Sequence, residues 1–146
     1  MTIIVLISCA SKKLNHRSEA KLLYISTLFK KSLEYAELIP HDQIFILSAK
    51  HRLLDPNRII NPYDQTLNKM ESVERKKWAF EVLNQLKKVS DIRKDEFVIL
   101  AGNKYSEFFA PDITNKKIPL AGKRIGKQLQ WLNQKIQKLN KSTNDE

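Results

Sequence analysis

The chain has 146 residues, 42% of them hydrophobic, with 26 Lys and Arg against 16 Asp and Glu and a net charge of +10. That length and apolar share suit one ordinary core, which argues against a disordered chain and against a second domain. The charge favours polyanions (nucleic acid, nucleotides or an anionic surface), although lysine-rich surfaces also serve solubility. The single cysteine, Cys9, excludes an intrachain disulfide and fits a reducing compartment.

Thr2 to Ile7 is a continuous β-branched run and reads as a strand buried on both faces, as in a parallel sheet. The run is too short to span a bilayer, and no basic region precedes it as in a signal peptide, so a cytoplasmic protein is expected. It breaks into Ser8, Cys9, Ala10, Ser11, Lys12 and Lys13, small and hydroxyl residues that could let backbone N–H groups approach an anion. Ser18 and Ser26 read as caps of two helical segments, the second carrying Leu28, Phe29, Leu33 and Ala36 on one face and stopping at Pro40. A right-handed crossover to the next strand is expected.

Ile44 to Leu47 reads as that strand, emptying at once into Ser48, Lys50, His51 and Arg52. A loop follows, marked by Asp55-Pro56 and Asn61-Pro62 and ending in Tyr63, Asp64 and Thr66. A helix then begins at Asn68 or Ser72 and reaches about Val89, with Trp78, Val82 and Leu86 on its core face. Phe97 to Ala101 is a third buried strand, ending in Gly102, Asn103, Lys104 and Tyr105; Gly102 could permit a tight turn or close ligand approach. Ser106 to Phe109 reads as a short helix closed by Pro111, and Lys116 to Leu120 as an edge strand, because Pro119 cannot serve a central ladder.

A last helix runs to about Asn140, with Ile125, Leu129, Leu132, Ile136 and Leu139 as its apolar stripe and Arg124, Lys127, Trp131, Lys135 and Lys138 opposite. Between Asp112 and Asp145 no residue is acidic while eight are basic. Residues 1–141 are expected to form the domain and 142–146 a frayed polar tail.

In open α/β sheets ligands bind beyond the carboxyl ends of the strands. If the three strands are parallel neighbours, Ser8 to Lys13, Ser48 to Arg52 and Gly102 to Tyr105 meet on one edge, with Tyr63, Asp64 and Thr66 closing over them. The expected ligand set is Ser8, Ser11, Lys12, Lys13, Ser48, Arg52, Tyr63, Thr66, Gly102, Tyr105 and Arg124. The cations suit phosphate or carboxylate, and the phenols suit stacking on a planar base. The chemical candidates are Cys9, Lys50, His51 and Asp64: a thiol that a neighbouring cation could activate, and groups able to exchange a proton or hold a charge. Against this, a lone cysteine beside a strand is commonly just a small buried residue, and Tyr63 and Asp64 could simply order the loop. Lys127, Trp131, Lys135 and Lys138 form a candidate nucleic-acid surface, or a solvated lysine face with Trp131 packed inward. His16, His41, His51 and Cys9 have no metal-ligand spacing, and there is no Walker loop or dinucleotide fingerprint, so neither metal nor cofactor is expected.

Three stretches, IIVLISCASKK, ILSAKHRLLDPNRIINPYDQTL and VILAGNKYSEFF, resemble in order the motifs of the YaaA family, named for a bacterial peroxide-stress protein, and are most similar to its small bacterial and phage relatives. The similarity covers residues 3 to about 126 and includes Ser8, Ser48, Leu53, Leu54, Pro56, Pro62, Tyr63 and Tyr105. It implies an α/β fold, a link to DNA binding and protection from oxidative damage, and in some relatives an association with base modification. Arg52 departs from the pattern, since those relatives usually carry Gly before the Leu-Leu pair; a left-handed backbone there would strain Arg. Either the turn has changed, or Arg52 is placed for binding. Full-length YaaA proteins are considerably longer, and a DNA-binding element in their extra segments would be missing here.

The expectation is one α/β domain with a central, mainly parallel sheet flanked by helices. Its partner is nucleic acid (DNA before RNA) or a nucleotide, with no membrane. The alternatives are an enzyme acting on a free nucleotide or nucleobase derivative, and a phage-type sponge or inhibitor that sequesters its target without chemistry.

Overall fold

Ile4 to Ile7 are fully buried in succession, which requires cover on both faces of the strand they form. The computed structural model describes residues 2–144. Strand β1 (Ile3–Ser8) is the centre of a five-stranded sheet. It pairs in parallel with β3 (Gln43–Ser48) on one side and β6 (Glu96–Leu100) on the other. Beyond β3 lies β4 (Arg52–Leu54), antiparallel; beyond β6 lies the parallel edge strand β7 (Asn115–Lys117). The order is thus β4-β3-β1-β6-β7, a mixed α/β fold with a mostly parallel sheet. A separate two-stranded ribbon joins β2 (Ser18–Glu19) to β5 (Ile59–Ile60).

The helices fall into two groups. Helix α1 (Ala20–Leu23) leads into α2 (Thr27–Leu38), which packs on β1 and on the C-terminal α5 (Ile125–Asn144). Helix α3 (Ser72–Val89) packs on β4 and on the short α4 (Asn103–Ser106). Trp78 of α3 is buried and donates its indole N–H to the Ser48 carbonyl at 2.9 Å, tying the helix to the end of β3. No helix among the described residues is long and apolar enough to cross a membrane.

Several local expectations change. Ser26 caps α2 by accepting the Phe29 N–H at 3.2 Å, but Ser18 lies in the ribbon and caps nothing. The loop after β3 folds straight back as β4, which three residues could not announce by periodicity. The third short helix starts at Asn103 rather than Ser106, and Pro111 sits inside a separate 3₁₀ turn, Ala110–Asp112, rather than closing it. Helix α5 continues four residues past the expected Asn140, so 142–144 are helical; positions 145–146 of the expected tail lie outside the described residues.

Candidate functional site

From β1 the chain crosses to β3 on one side and then returns past β1 to β6 on the other. The switch in direction therefore falls between β1 and β6. At such a point the loops leaving two adjacent strands diverge and leave a crevice at their carboxyl ends. A cavity of about 640 Å³ lies there, within the range of ligand pockets.

Its walls come from Ser8 at the end of β1 and Cys9 to Ser11 beyond it, Gly102 to Tyr105 after β6, Thr66 and Asn68 of the long loop, the start of α2, Gly122 to Ile125, and Gln128 and Leu129 of α5. Cys9 and Tyr105 are both nearly buried, with the thiol 3.2 Å from the phenol oxygen. Burial holds the Tyr105 pKa far above the ordinary 10, with Cys9 adding to it and the nearby Thr66 and Leu67 opposing. Three cations, Lys104, Lys123 and Arg124, line the crevice and are exposed, and no carboxylate among the described residues lines it. Among the expected ligand residues, Ser8, Ser11, Thr66, Gly102, Tyr105 and Arg124 meet here, with Cys9 beside them.

Gly102 is not in a left-handed turn. Its φ is −74°, and a Cβ placed on it would have only the Gln128 side-chain nitrogen nearby, at 4.0 Å. The glycine with a left-handed backbone is Gly122, at φ +72°, in the turn that leads into α5.

A second group gathers between β1 and β3. Ser48 is fully buried; its hydroxyl lies 2.8 Å from the Tyr63 oxygen and accepts the His51 backbone N–H at 2.9 Å. Tyr63 reaches on to the Tyr24 hydroxyl at 2.6 Å, completing a buried chain of three hydroxyls. Burial raises the Tyr24 pKa to about 12 and pushes Tyr63 up strongly. The Lys13 ammonium sits 4.4 Å from the centre of the Tyr63 ring, a cation–π distance. Burial lowers its pKa, with Cys9 and Asp64 opposing. Tyr63, expected to stack on a base, is thus spent inside the protein. His51 packs edge-on against it, and its pKa is lowered by burial and then by Arg58, Lys50 and Arg52.

The other expected residues are scattered. Lys12, Lys50 and Asp64 are exposed and do not line the crevice. Arg52 turns away from it and pairs with Glu81 of α3. On α5, Lys127, Lys135 and Lys138 are exposed, but Trp131 is half-buried against Tyr35, ring centres 5.1 Å apart, with Lys135 over its face. Trp131 lies three residues after buried Gln128, so it flanks the packed stripe rather than opposing it.

Sequence reasoning did not single out Gln128, Lys123 or Tyr24. Gln128 carries no pattern signal, because one polar residue on a helix reads as solvent-facing. Lys123 lay within the basic stretch, the only cue available. Asn103 and Lys104 belonged to a loop already marked by its position after β6.

Residues 4–134 match the model of a family of unknown function, DUF6884, and the chain belongs to that family. No curated protein and no solved structure matches it significantly.

Proposed function

We propose that the crevice between β1 and β6 binds a nucleotide or nucleobase, and that the protein acts on or beside nucleic acid, with the basic face of α5 holding phosphates. One observation carries this reading: a strand-end cavity of about 640 Å³ whose charged lining, among the described residues, is Lys104, Lys123 and Arg124. Such a site favours an anion, and its apolar and hydroxyl walls have room for a planar ring. The resemblance to YaaA-like proteins adds support, since Ser8 and Tyr105 of the shared motifs line the same cavity. A DNA-linked role in base modification or damage protection is part of this proposal.

The test is calorimetric titration of the purified chain with nucleoside monophosphates at low salt. Micromolar to millimolar binding that Arg124→Glu weakens about tenfold or more is expected, since reversal turns one attraction into repulsion. Absence of binding by every nucleotide would remove the proposal.

A second reading, an enzyme on a free nucleotide or nucleobase derivative, draws on the Cys9 thiol in the cavity wall beside Tyr105. In that case Cys9→Ala abolishes turnover and leaves nucleotide affinity intact.

A further inference from the structure

Gln128 is the one polar side chain of α5 that is buried among the described residues, at 7% exposure. Its Nε2 donates to the Lys123 carbonyl at 2.8 Å. A carbonyl can only accept, so this bond settles which end of the amide is nitrogen and which is oxygen. The Oε1 has no protein partner among the described residues. It is not among the sealed, unsatisfied atoms either, and the residue lines the crevice. The oxygen is therefore an unsealed acceptor, fixed by the backbone bond of its own amide, on a residue that lines the crevice.

An acceptor already held in place by its own backbone bond needs no reorganisation to take a ligand's donor, and the bond it forms replaces one to water. We propose that Gln128 sets the chemistry of the ligand's base edge: the crevice selects nucleotides whose base carries an exocyclic amino group, which donates to the Gln128 Oε1. The inference rests on the nucleotide reading above and deepens it. Gly102 borders the same amide: its ideal Cβ position lies 4.0 Å from the Gln128 nitrogen, an ordinary contact distance.

A smaller void of about 30 Å³ also touches Gln128, with Ser8, Ser26 and Ser32 around it. Its size and polarity suit one water molecule, which is the competing use of the same oxygen.

The experiment compares nucleotides that differ only in the amino group: AMP with purine riboside monophosphate, CMP with its 4-deamino counterpart, and GMP with IMP. Calorimetry on the full chain should give, in at least one pair, about tenfold tighter binding of the amino member, the worth of one net hydrogen bond. Gln128→Leu should bring that ratio close to one. Should that variant fail to fold, the wild-type panel alone decides. Equal affinities within all three pairs would show the oxygen serving the small void, overturning this inference while the nucleotide reading stands. A preference for the des-amino members, or a Gln128→Leu protein that keeps the discrimination, would overturn it too. No binding by any of the six would bring down both.

Discussion

Arg52 takes the chain from β3 into β4 with φ +61°, the one non-glycine residue at positive φ among the described residues. The backbone is left-handed here although the residue is not Gly. That conformation costs an L-residue about 1–2 kcal/mol, and the exposed pairing with Glu81 returns at most about 1 kcal/mol. Arg52→Gly should therefore leave stability within about 1 kcal/mol, strain relief offsetting the lost pair. Arg52→Val should lower it by about 2 kcal/mol, because a β-branched side chain tolerates this region least. Urea unfolding of the two variants measures the difference, and equal stabilities would show that the turn relaxes. His51 gives a second check at this scale. Its pKa lies below the ordinary 6.5, chiefly through burial and then through Arg58. Across that window the unfolded chain binds more protons, so the His51 contribution to stability should rise with pH and fade on acidification. The imidazole midpoint by NMR should fall below 6.5 and move up in Arg58→Ala.

At the scale of elements, α5 presents Lys127, Lys135 and Lys138 to solvent while Leu132 and Ile136 are buried. If these lysines hold a phosphate backbone, each adds about 0.9 to the slope of log affinity against log salt. Reversing all three to Glu should lower the slope by about 2.7 or more, three such increments, and abolish binding at moderate salt. An unchanged slope in a fluorescence titration with DNA would take α5 out of the interface. The long elements were legible in the sequence for plain reasons. Strands β1, β3 and β6 are apolar runs because both faces are covered, and α3 and α5 show helical spacing. The ribbon of β2 and β5 was not legible, since two residues per strand carry no period. Strand β4 was hidden because its first residue sits in a conformation that sequence logic assigns to glycine. Trp131 was misplaced because its spacing from the lysines matched an exposed face, while docking of α5 on α2 turned its ring towards Tyr35.

For the whole molecule, the site was legible as a place more than as a set of contacts. Three strands ending in polar loops point to one sheet edge, and the loops after β1 and β6 do line one crevice. The residues of the β3 loop went elsewhere: Ser48 and Tyr63 joined Tyr24 in the core, a pairing across 39 residues that no local pattern encodes. These phenols bear on the pH range of the fold. Tyr24, Tyr35, Tyr63 and Tyr105 all have raised pKa values, with burial as the first cause. The folded chain then holds protons that the unfolded chain gives up near pH 10, so stability is full below that pH and is lost as pH rises above it. An absorbance titration of phenolate should show little ionisation at pH 10 and a steep, cooperative rise when the fold opens. A simple titration centred at 10 would contradict the buried hydroxyl chain.

The central position of β1 also dictates when the protein can be finished during synthesis. Its second neighbour, β6, lies far along the chain; Thr2 already reaches across 93 residues to the Asp95 carboxylate. Until β6 emerges, one edge of an almost wholly apolar strand has no partner, and the crevice lacks one of its two principal walls. Long-range parallel pairing of this kind is slow and leaves sticky edges exposed in the meantime. The crevice is therefore complete only once β6 and the loop after it have been made, and a chain ending after β4 is expected to aggregate more readily than the whole.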